Sequence, residues 1–209
     1  MTLELAFQNQ DVEVLQDRLV FDGHFKLRQL SLRHRLFKGG WGPVVQRELF
    51  DRGDAIAVLP IDMEREELIL IEQFRPGALN RESSPWMLEL IAGVIEEGED
   101  DRAVAHREAE EEAQCRMDEL QLIATFFPSA GACSEQIRCF VGRVVSAPDT
   151  GLFGLDSEHE DIRLRRVAID QAFEWLKSNQ INNGHTLIAL QWLAHAILLR
   201  TVNDRSDGA

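Results

Sequence analysis

Three of the glutamates within residues 93–115 have the spacing of a metal-binding set. Glu108 and Glu112 are four residues apart and Glu111 is three from Glu108, so a helix would bring them to or near one side. Like charges at these spacings oppose a helix by about 0.2 to 0.5 kcal/mol per pair, and Arg107 is the one cation at a neighbouring helical position. A divalent cation would offset this repulsion. Carboxylates without histidine or cysteine partners suit Mg²⁺ or Mn²⁺ better than Zn²⁺.

The same acidic run is compatible with a solvated helix face, because runs of charge usually lie on the surface. The order of the fixed positions favours a functional site: Gly93 is followed after five residues by Glu99 and, after seven more, by an Arg–Glu pair. The stretch resembles the signature of the Nudix hydrolases at every fixed position except Gln114, where the family usually has glycine. Glycine would end the helix in a left-handed conformation, so Gln114 leaves the form of this C-cap open but removes no metal ligand.

The resemblance implies hydrolysis of a pyrophosphate bond with two or more bound Mg²⁺ ions, Mn²⁺ being the alternative. It assigns Glu108, Glu112 and the backbone carbonyl of Ala92 as metal ligands, and it places Glu111 among the catalytic residues. We interpret Arg107 as a catalytic-site residue that orients the glutamates, because it can reach Glu111 one turn later. A direct contact to the substrate is the alternative role for this arginine.

A second acidic segment, residues 154–163, begins with a glycine and leads into an apolar stretch. It resembles the mobile loop from which bacterial ADP-ribose pyrophosphatases take their general base, although an acidic loop on the surface is often only solvated. By this resemblance Glu158 activates the attacking water and Glu160 is a further metal ligand. His159 is the rival base, because histidine side chains commonly exchange protons near neutral pH. A neighbouring carboxylate on each side favours the imidazolium form, which makes His159 the second choice.

Four residues outside these segments are candidates for binding the substrate. Arg75 matches an arginine that the ADP-ribose subgroup places against the diphosphate, and Arg47 matches one near the adenine, reached across a dimer. Each alone is equally compatible with an ordinary surface arginine. His24 can stack on adenine, though less well than phenylalanine. Gly131 lies in a loop where the family has proline just before the glycine, whereas here the proline is Pro128.

The N-terminal part, residues 1–50, has the pattern of an incomplete sheet. Glycines separate its three β-like segments, Val12–Phe21, Phe25–Phe37 and Val44–Phe50. Three strands without a helix cannot bury both faces, so this antiparallel sheet must pack on something else. The resemblance implies a homodimer in which the small sheet is exchanged between subunits.

Residues 51–203 are predicted to form an α/β domain, a Nudix α/β/α sandwich on a mixed sheet. Its predicted elements are strands at Asp54–Pro60, Leu68–Phe74, Trp86–Ala92, Leu120–Phe127 and Ile137–Val145, a helix from near Asp100, a helix capped by Asp170 and ending at Lys177, and a helix at His185–Arg200. The inner stripe of the last helix is predicted at Leu187, Leu190, Leu193 and Ile197. Residues 204–209 are predicted to be a flexible tail.

Composition narrows the class of partner. The 209-residue chain carries a formal net charge of −14, which argues against nucleic acid because phosphate backbones recruit basic surfaces. A small phosphate ester remains compatible, since bound metal and a few arginines reverse the local field. Three cysteines without CxxC spacing read as reduced thiols, and the start of the chain lacks a secretory pattern, so a cytoplasmic protein without a membrane span is expected.

These features together predict a Mg²⁺-dependent enzyme that hydrolyses ADP-ribose to AMP and ribose 5-phosphate. The first alternative is hydrolysis of another nucleoside diphosphate sugar such as GDP-mannose. The second is a sensor that binds ADP-ribose without cleaving it. Sensor modules of the family typically lose motif glutamates and carry a DNA-binding domain, whereas this chain keeps Glu108, Glu111 and Glu112 and has no basic appendage.

Overall fold

The computed structural model describes residues 3–81 and 84–206, and for residues 200–206 it describes the backbone alone. The chain divides into two compact units, Met1–Gly53 with Phe127–Gln136, and Asp54–Phe126 with Ile137–Ala209. The sequence did not predict that the loop containing Gly131 would pack with the N-terminal part. Residues 207–209 of the predicted tail lie outside the described residues, while residues 204–206 continue the last helix.

The first unit is built on a three-stranded antiparallel sheet in the order β1 (Val12–Asp22), β2 (Lys26–His34) and β3 (Val45–Asp51). The loop 127–136 pairs with the end of β3, because the Phe50 N–H donates to the Ala132 carbonyl at 2.7 Å and the Ser134 N–H donates to the Phe50 carbonyl at 3.0 Å. No residue of β1 is buried within the chain. This agrees with the expectation that three strands without a helix cannot bury both faces of their sheet.

The second unit holds the larger sheet, and its strand order is β10-β11-β5-β4-β9-β8. The strands are β4 (Ala55–Asp62), β5 (Glu67–Phe74), β6 (Trp86–Glu89), β7 (Ile91–Val94), β8 (Arg116–Phe126), β9 (Ile137–Ser146), β10 (Leu152–Phe153) and β11 (Ile162–Ala168). The β4–β9 pair is parallel and its neighbours are antiparallel, so the predicted mixed sheet is confirmed.

Helices cover both faces of this sheet, as the predicted α/β/α sandwich requires. They are α1 (Asp101–Ala113), α2 (Ile169–Lys177) and α3 (Gly184–Ser206). One core contains Val104 and Ala109 of α1, and the other contains Ala172 of α2 and Leu190 of α3. Alternate residues of β4 and β5 enter the two cores because successive side chains of a strand point to opposite faces. None of the described helices is long and apolar enough to cross a lipid bilayer.

The predicted single strand Trp86–Ala92 is wrong, because the chain changes partner at Leu90. Strand β6 pairs with β5, whereas β7 pairs with β4. The strands β4 and β5 of the hairpin share ladder pairs only at Ile61↔Leu68 and Asp62↔Glu67. Further along, β6 and β7 lie between them, β6 paired with β5 and β7 with β4. The Leu90 N–H donates to Thr186 Oγ1 at 3.1 Å. This break leads directly into β7, the strand that carries Ala92 and Gly93.

Helix ends and stripes also refine the sequence predictions. The predicted start of a helix near Asp100 is confirmed, since α1 begins at Asp101 and Asp100 caps it, with Oδ1 accepting from the Arg102 and Ala103 N–H groups at 3.1 and 3.0 Å. The predicted cap at Asp170 is wrong: α2 begins at Ile169, so Asp170 lies in its first turn. The stripe of α3 does not reach Ile197, whose exposed fraction is 40%.

Candidate active site

The approach of α1 to β7 explains the glycine at position 93. Val104, Ala105 and Ala109 bury one side of α1 against the sheet. The Glu108 side chain then lies over Gly93 so closely that a Cβ at this position would overlap its carboxyl group. A larger residue would displace this carboxyl group, so the glycine leaves room for Glu108 in its present position.

Glu112 lies one helical turn beyond Glu108 and is only 3% exposed. Its Oε2 accepts a hydrogen bond from the Ala92 N–H at 3.1 Å. Two of the predicted ligand residues, Glu112 and Ala92, are therefore neighbours in the structure. The helix and β7 bring them together although they are far apart in sequence.

Arg107 contacts three carboxylates at the exposed edge of α1. Its Nη1 donates to Glu108 Oε1 at 2.8 Å and to Glu111 Oε2 at 3.2 Å, and its Nη2 lies 3.6 Å from Glu99 Oε2. The predicted contact one turn along the helix is confirmed. Glu99 had no predicted role. Its carboxylate also accepts a hydrogen bond from the Glu96 N–H at 2.9 Å, which fixes the loop between β7 and α1.

The motif carries more negative charge than its arginine offsets. Burial raises the pKa of Glu108, Arg107 opposes the rise, and Glu111 and Glu160 add to it, so that the pKa is about 7. Burial also raises the pKa of Glu112 well above its usual range, against the opposing hydrogen bond from Ala92. Carboxyl groups with such raised pKa values in one place are typical of functional sites.

The helix ends in the conformation that the family's glycine would favour. Gln114 adopts φ 45° and ψ 36°, which is left-handed. Its N–H donates to the Glu110 carbonyl at 2.9 Å, and the Cys115 N–H donates to the Ala109 carbonyl at 2.9 Å. The glutamine therefore closes the helix as glycine would, at a cost of roughly 1–2 kcal/mol for a left-handed non-glycine residue.

The second acidic loop approaches the end of α1. The Gly154 N–H lies 3.4 Å from the Glu111 carbonyl, and the Leu155 N–H donates to Glu160 Oε2 at 3.2 Å. Burial is the largest cause of the raised pKa values of Glu108 and Glu112, and Glu160 is a smaller cause of both. The Glu160 carboxylate therefore belongs to the same electrostatic site. The tertiary fold thus joins the two acidic segments.

Glu158 and His159 occupy the outer part of this loop. Glu158 ends a short 3₁₀ turn, Asp156–Glu158, and its side chain is exposed. His159 is also exposed and adopts a left-handed φ of 56°. The loop therefore presents both candidate bases to solvent, while Glu160 folds back onto the Leu155 backbone.

Arg75 follows β5 and lies on the edge of the acidic site. Its Nε donates to Glu89 Oε2 at 2.9 Å. The charge of Arg75 opposes the effect of burial on the pKa of Glu112. Sequence reasoning missed Glu89, although an acidic residue between Leu88 and Leu90 in an apolar stretch signals a buried charge.

Three of the predicted substrate-binding residues belong to the first unit. Arg47 lies on β3, and its Nη1 donates to the Gln46 carbonyl at 2.8 Å. His24 stacks edge-on against Phe25 with ring centroids 4.4 Å apart. Gly131 lies in the loop 127–136 that pairs with β3. The structure therefore groups these residues within one unit, and Arg75 belongs to the other.

The donor set of the acidic site suits a hard divalent cation. Among the described residues, no group of three or more acidic, histidine or cysteine side chains is already arranged as a metal-ligand set. The side chains have protein partners instead: Glu108 and Glu111 contact Arg107, and Glu112 contacts the Ala92 N–H. Their carboxylate oxygens nevertheless suit Mg²⁺ or Mn²⁺, and the raised pKa values of Glu108 and Glu112 indicate negative charge that a cation would stabilise.

Comparison with known proteins places the chain among proteins with this motif. Residues 51–191 match the family model of the NUDIX domain. The chain is 41% identical over 191 residues to the ADP-ribose pyrophosphatase of Escherichia coli (strain K12), covering 91% of each. It is 28% identical over 185 residues to the GDP-mannose pyrophosphatase of Enterobacter sp. (strain 638), covering 87% of this chain and 94% of that protein.

A solved structure described as an ADP compounds hydrolase shares the fold. The TM-score is 0.70 at 20% sequence identity, and the match covers 93% of this chain and 98% of the other. The match extends over both units, so the small antiparallel sheet and the larger mixed sheet recur in the same chain.

Proposed function

Since the chain belongs to the NUDIX domain family and is a Nudix hydrolase, we propose that it hydrolyses the pyrophosphate bond of ADP-ribose to AMP and ribose 5-phosphate. The observation that carries this proposal is the acidic site, where burial raises the carboxyl pKa values of Glu108 and Glu112 and the nearby Glu160 carboxylate adds to the rise. The similarity to an ADP-ribose pyrophosphatase along 91% of the chain supports the choice of substrate.

The proposed cofactor is Mg²⁺, with Mn²⁺ as the alternative and two or more ions per site. Glu108, Glu112, Glu160 and the Ala92 carbonyl would hold these ions. A bound divalent cation neutralises developing charge on phosphate oxygens and lowers the pKa of water. The uncompensated negative charge around Glu108 supports this assignment, because a cation would stabilise the ionised carboxylates.

The proposed roles of the protein residues follow from their positions. Glu158 takes the proton of the attacking water at a carboxylate oxygen, as its exposed place on the loop permits. The bond from this water oxygen to one phosphorus forms while the bond from the bridging oxygen to that phosphorus breaks. Arg107 and Glu111 keep Glu108 oriented, supported by the hydrogen bonds at 2.8 and 3.2 Å. His159 remains the rival base.

Arg75, Arg47, His24 and Gly131 are proposed to bind the substrate, with Arg75 on the diphosphate and Arg47 and His24 near the adenine. Arg75 is 43% exposed, which supports contact with a ligand. The His24–Phe25 pair offers an aromatic surface to a flat base. Gly131 allows the loop after β8 to approach the ligand closely, since glycine adds no side chain.

We further propose a homodimer that exchanges the N-terminal sheet, in the cytoplasm. Strand β1 carries a row of apolar side chains that are 42–62% exposed in the single chain, and a second subunit would cover them: Val12, Val14, Leu15, Leu19, Val20 and Phe21. The three cysteines, at positions 115, 133 and 139, are free. Free thiols support a reducing compartment, because disulfides form under oxidising conditions.

The first test is hydrolysis by the purified protein of ADP-ribose, GDP-mannose and other nucleoside diphosphate sugars, with Mg²⁺ or with chelator, in ¹⁸O-labelled water. We expect Mg²⁺-dependent AMP and ribose 5-phosphate, with ADP-ribose cleaved fastest. The labelled product identifies the phosphorus that water attacks. If GDP-mannose were cleaved fastest, the assigned substrate would change to that of the GDP-mannose pyrophosphatases, to which the chain is less similar. Tight binding without product would support the sensor alternative.

A further inference from the structure

One buried carboxylate holds the guanidinium of Arg75. The Arg75 Nε donates to Glu89 Oε2 at 2.9 Å, and the Glu89 side chain is 4% exposed while that of Arg75 is 43% exposed. A guanidinium has five N–H donors in a fixed plane. A bond through Nε therefore sets the direction of the group and leaves the two terminal nitrogens for another acceptor.

Asn183 supports the same carboxylate from the other side. Its Nδ2 donates to Glu89 Oε1 at 3.0 Å, so both oxygens of Glu89 accept hydrogen bonds. Asn183 is itself fixed as the cap of α3, because its Oδ1 accepts from the first-turn N–H groups at 3.1 and 3.2 Å. Thr186 of that turn accepts from the Leu90 N–H. We call Arg75, Glu89, Asn183 and Thr186 the Glu89 network.

Within the Glu89 network, Arg75 and Glu89 lie on the face of the sheet that α1 covers, whereas Asn183 and Thr186 belong to the start of α3, which packs in the other core. Arg75 is extended, with φ −127° and ψ 110°, so the alternation of β5 continues and puts Arg75 on the side of Ile71. Ile71 belongs to the core that contains Val104 and Ala109 of α1. Glu89 lies directly opposite Ile71 in the β5–β6 ladder. Arg75 therefore faces the acidic site, in agreement with its effect on the Glu112 carboxyl.

An ion pair of this kind, with one buried and one half-exposed partner, contributes little to stability by itself. Taking the Glu89 carboxylate out of water offsets much of its attraction to Arg75. A fully hydrogen-bonded pair instead fixes one geometry, since a charge-assisted bond is short and directional. Orientation is therefore the property that the Glu89 network can supply and an apolar contact cannot.

We propose that Glu89, held in turn by Asn183, is a positioning residue that fixes Arg75 in the orientation in which its terminal nitrogens bind the diphosphate of the substrate. This inference rests on the proposed function for the identity of the substrate. Glu89 itself touches neither the substrate nor the reacting atoms. The N-terminal cap of α3 thereby becomes part of the support of the substrate site, although it is remote in sequence.

A double-mutant cycle tests this inference. KM and kcat for ADP-ribose are measured for the wild type, Glu89→Gln, Arg75→Ala and the double variant, each checked for its fold by circular dichroism. Because glutamine removes the charge but keeps a similar shape, we expect KM to rise about tenfold in the wild-type background and less than about twofold in the Arg75→Ala background. Equal factors in both backgrounds, or an unchanged KM, would overturn the inference.

Two further variants separate positioning from folding. Glu67→Gln is the matched control, because Glu67 also accepts a hydrogen bond from an arginine, Arg166, at 3.0 Å. Glu67 begins β5, whereas Arg75 follows the other end of that strand. We expect the KM of this variant to match the wild type. Asn183→Ser keeps a capping oxygen for α3 and removes the donor to Glu89. If Glu89→Gln does not fold, Asn183→Ser gives the same test, with an expected rise in KM of about threefold that Arg75→Ala abolishes.

Binding of a non-hydrolysable α,β-methylene analogue of ADP-ribose, measured by calorimetry with Mg²⁺, separates this inference from the proposed function. Coupling of Glu89 to Arg75 in the Kd of the analogue, together with a wild type that does not hydrolyse ADP-ribose, would keep the positioning role and overturn the hydrolytic function. Hydrolysis by the wild type with no such coupling would do the reverse. A wild type that neither cleaves ADP-ribose nor binds the analogue would overturn both.

Discussion

Two arginine–carboxylate clusters in the second unit use the same residue types for different purposes. The Arg107 cluster contains Glu99, Glu108 and Glu111, and the Arg166 cluster contains Asp62, Glu67 and Asp149. In the first cluster, burial raises the pKa of Glu108 to about 7 despite the arginine. In the second, burial raises the pKa of Asp62, but the Arg166 hydrogen bond and two backbone N–H groups outweigh it and lower the pKa.

The two clusters differ in how deeply the arginine is buried and in how many hydrogen bonds it donates. The Arg166 side chain is 9% exposed and also donates to two backbone carbonyls, those of Ala147 and Pro148, at 3.1 and 3.0 Å. Arg107 is 40% exposed and is shared among glutamates that are close to further carboxylates. A cluster in which hydrogen bonds hold a carboxylate ionised, as Arg166 does for Asp62, stabilises the fold. A cluster in which a carboxyl pKa stays raised despite its arginine, as for Glu108, is suited to bind a cation. Four predictions test this comparison.

The largest effect is expected for Glu112→Gln, which removes a proposed metal ligand one helical turn from Glu108 of the Arg107 cluster. Turnover of ADP-ribose should fall by at least about 10⁴-fold, because metal-ion stabilisation of the transition state is worth several kcal/mol. The fold should persist, since glutamine can still accept from the Ala92 N–H. The hydrolysis rate and the thermal midpoint provide the measurements. Glu110→Gln, an exposed change on the same helix, is the control, and normal turnover by Glu112→Gln would refute the metal assignment.

Within the second acidic loop, Glu158→Gln and Glu160→Gln should have different effects. Glu158→Gln should lower kcat by about 10³-fold with Mg²⁺ affinity retained, because a general base acts on the proton and holds no metal. Glu160→Gln should weaken Mg²⁺ binding. Titration of activity with Mg²⁺ and calorimetry distinguish the two variants. If the effects are exchanged, the base and the ligand have been assigned in reverse, and a loss on His159→Gln with normal activity of Glu158→Gln would make His159 the base.

In the Arg166 cluster, Arg166→Ala should destabilise the protein by about 1–3 kcal/mol, because it leaves the Asp62 carboxylate, which is 13% exposed, without its hydrogen-bond donor. The kcat of the folded protein should be unchanged. Urea unfolding and activity at low temperature provide the two readings. Arg143→Ala is the control, since Arg143 pairs with Asp118 at 2.7 Å but is 47% exposed, and exposed pairs contribute about 0–1 kcal/mol. A fall in kcat for Arg166→Ala would show that this cluster also serves the site.

The smallest effect concerns pH. The pKa of Glu108 is about 7 in the folded protein against 4.5 for the free side chain, so the folded state binds more protons between these values. Its contribution to stability is present below pH 4.5 and is lost as the pH rises through about 7. Without metal, the free energy of unfolding should therefore fall by on the order of 1–3 kcal/mol over this range.

Mg²⁺ should reverse this trend, because it binds the ionised carboxylates and stabilises the folded state more at high pH than at low pH. Urea unfolding at several pH values, with Mg²⁺ and with chelator, gives the measurement. Glu108→Gln should flatten the dependence seen without metal. The same pH slope in wild type and Glu108→Gln would show that this carboxyl does not titrate near neutrality.

Local spacing in the sequence was sufficient to predict the acidic helix and the residues on it. Glu108, Glu111 and Glu112 fall on neighbouring helical positions whatever the rest of the fold does, since 3.6 residues per turn is a property of the backbone. Two apolar runs separated by a polar link likewise predicted β4 and β5 to within two residues at each end. The mixed sheet with helices on both faces followed from the order of these elements.

The tertiary structure decided how distant segments meet. The break at Leu90 depends on Thr186, and Glu89 meets Asn183 across 94 positions of sequence. The raised pKa of Glu108 depends on burial and on the approach of Glu160 from another loop. Hydrogen bonds and desolvation of this kind act between atoms that are near in space, and separation along the chain does not reveal them. The sequence therefore determined which groups are candidates for the chemistry, and the fold decided their environment and support.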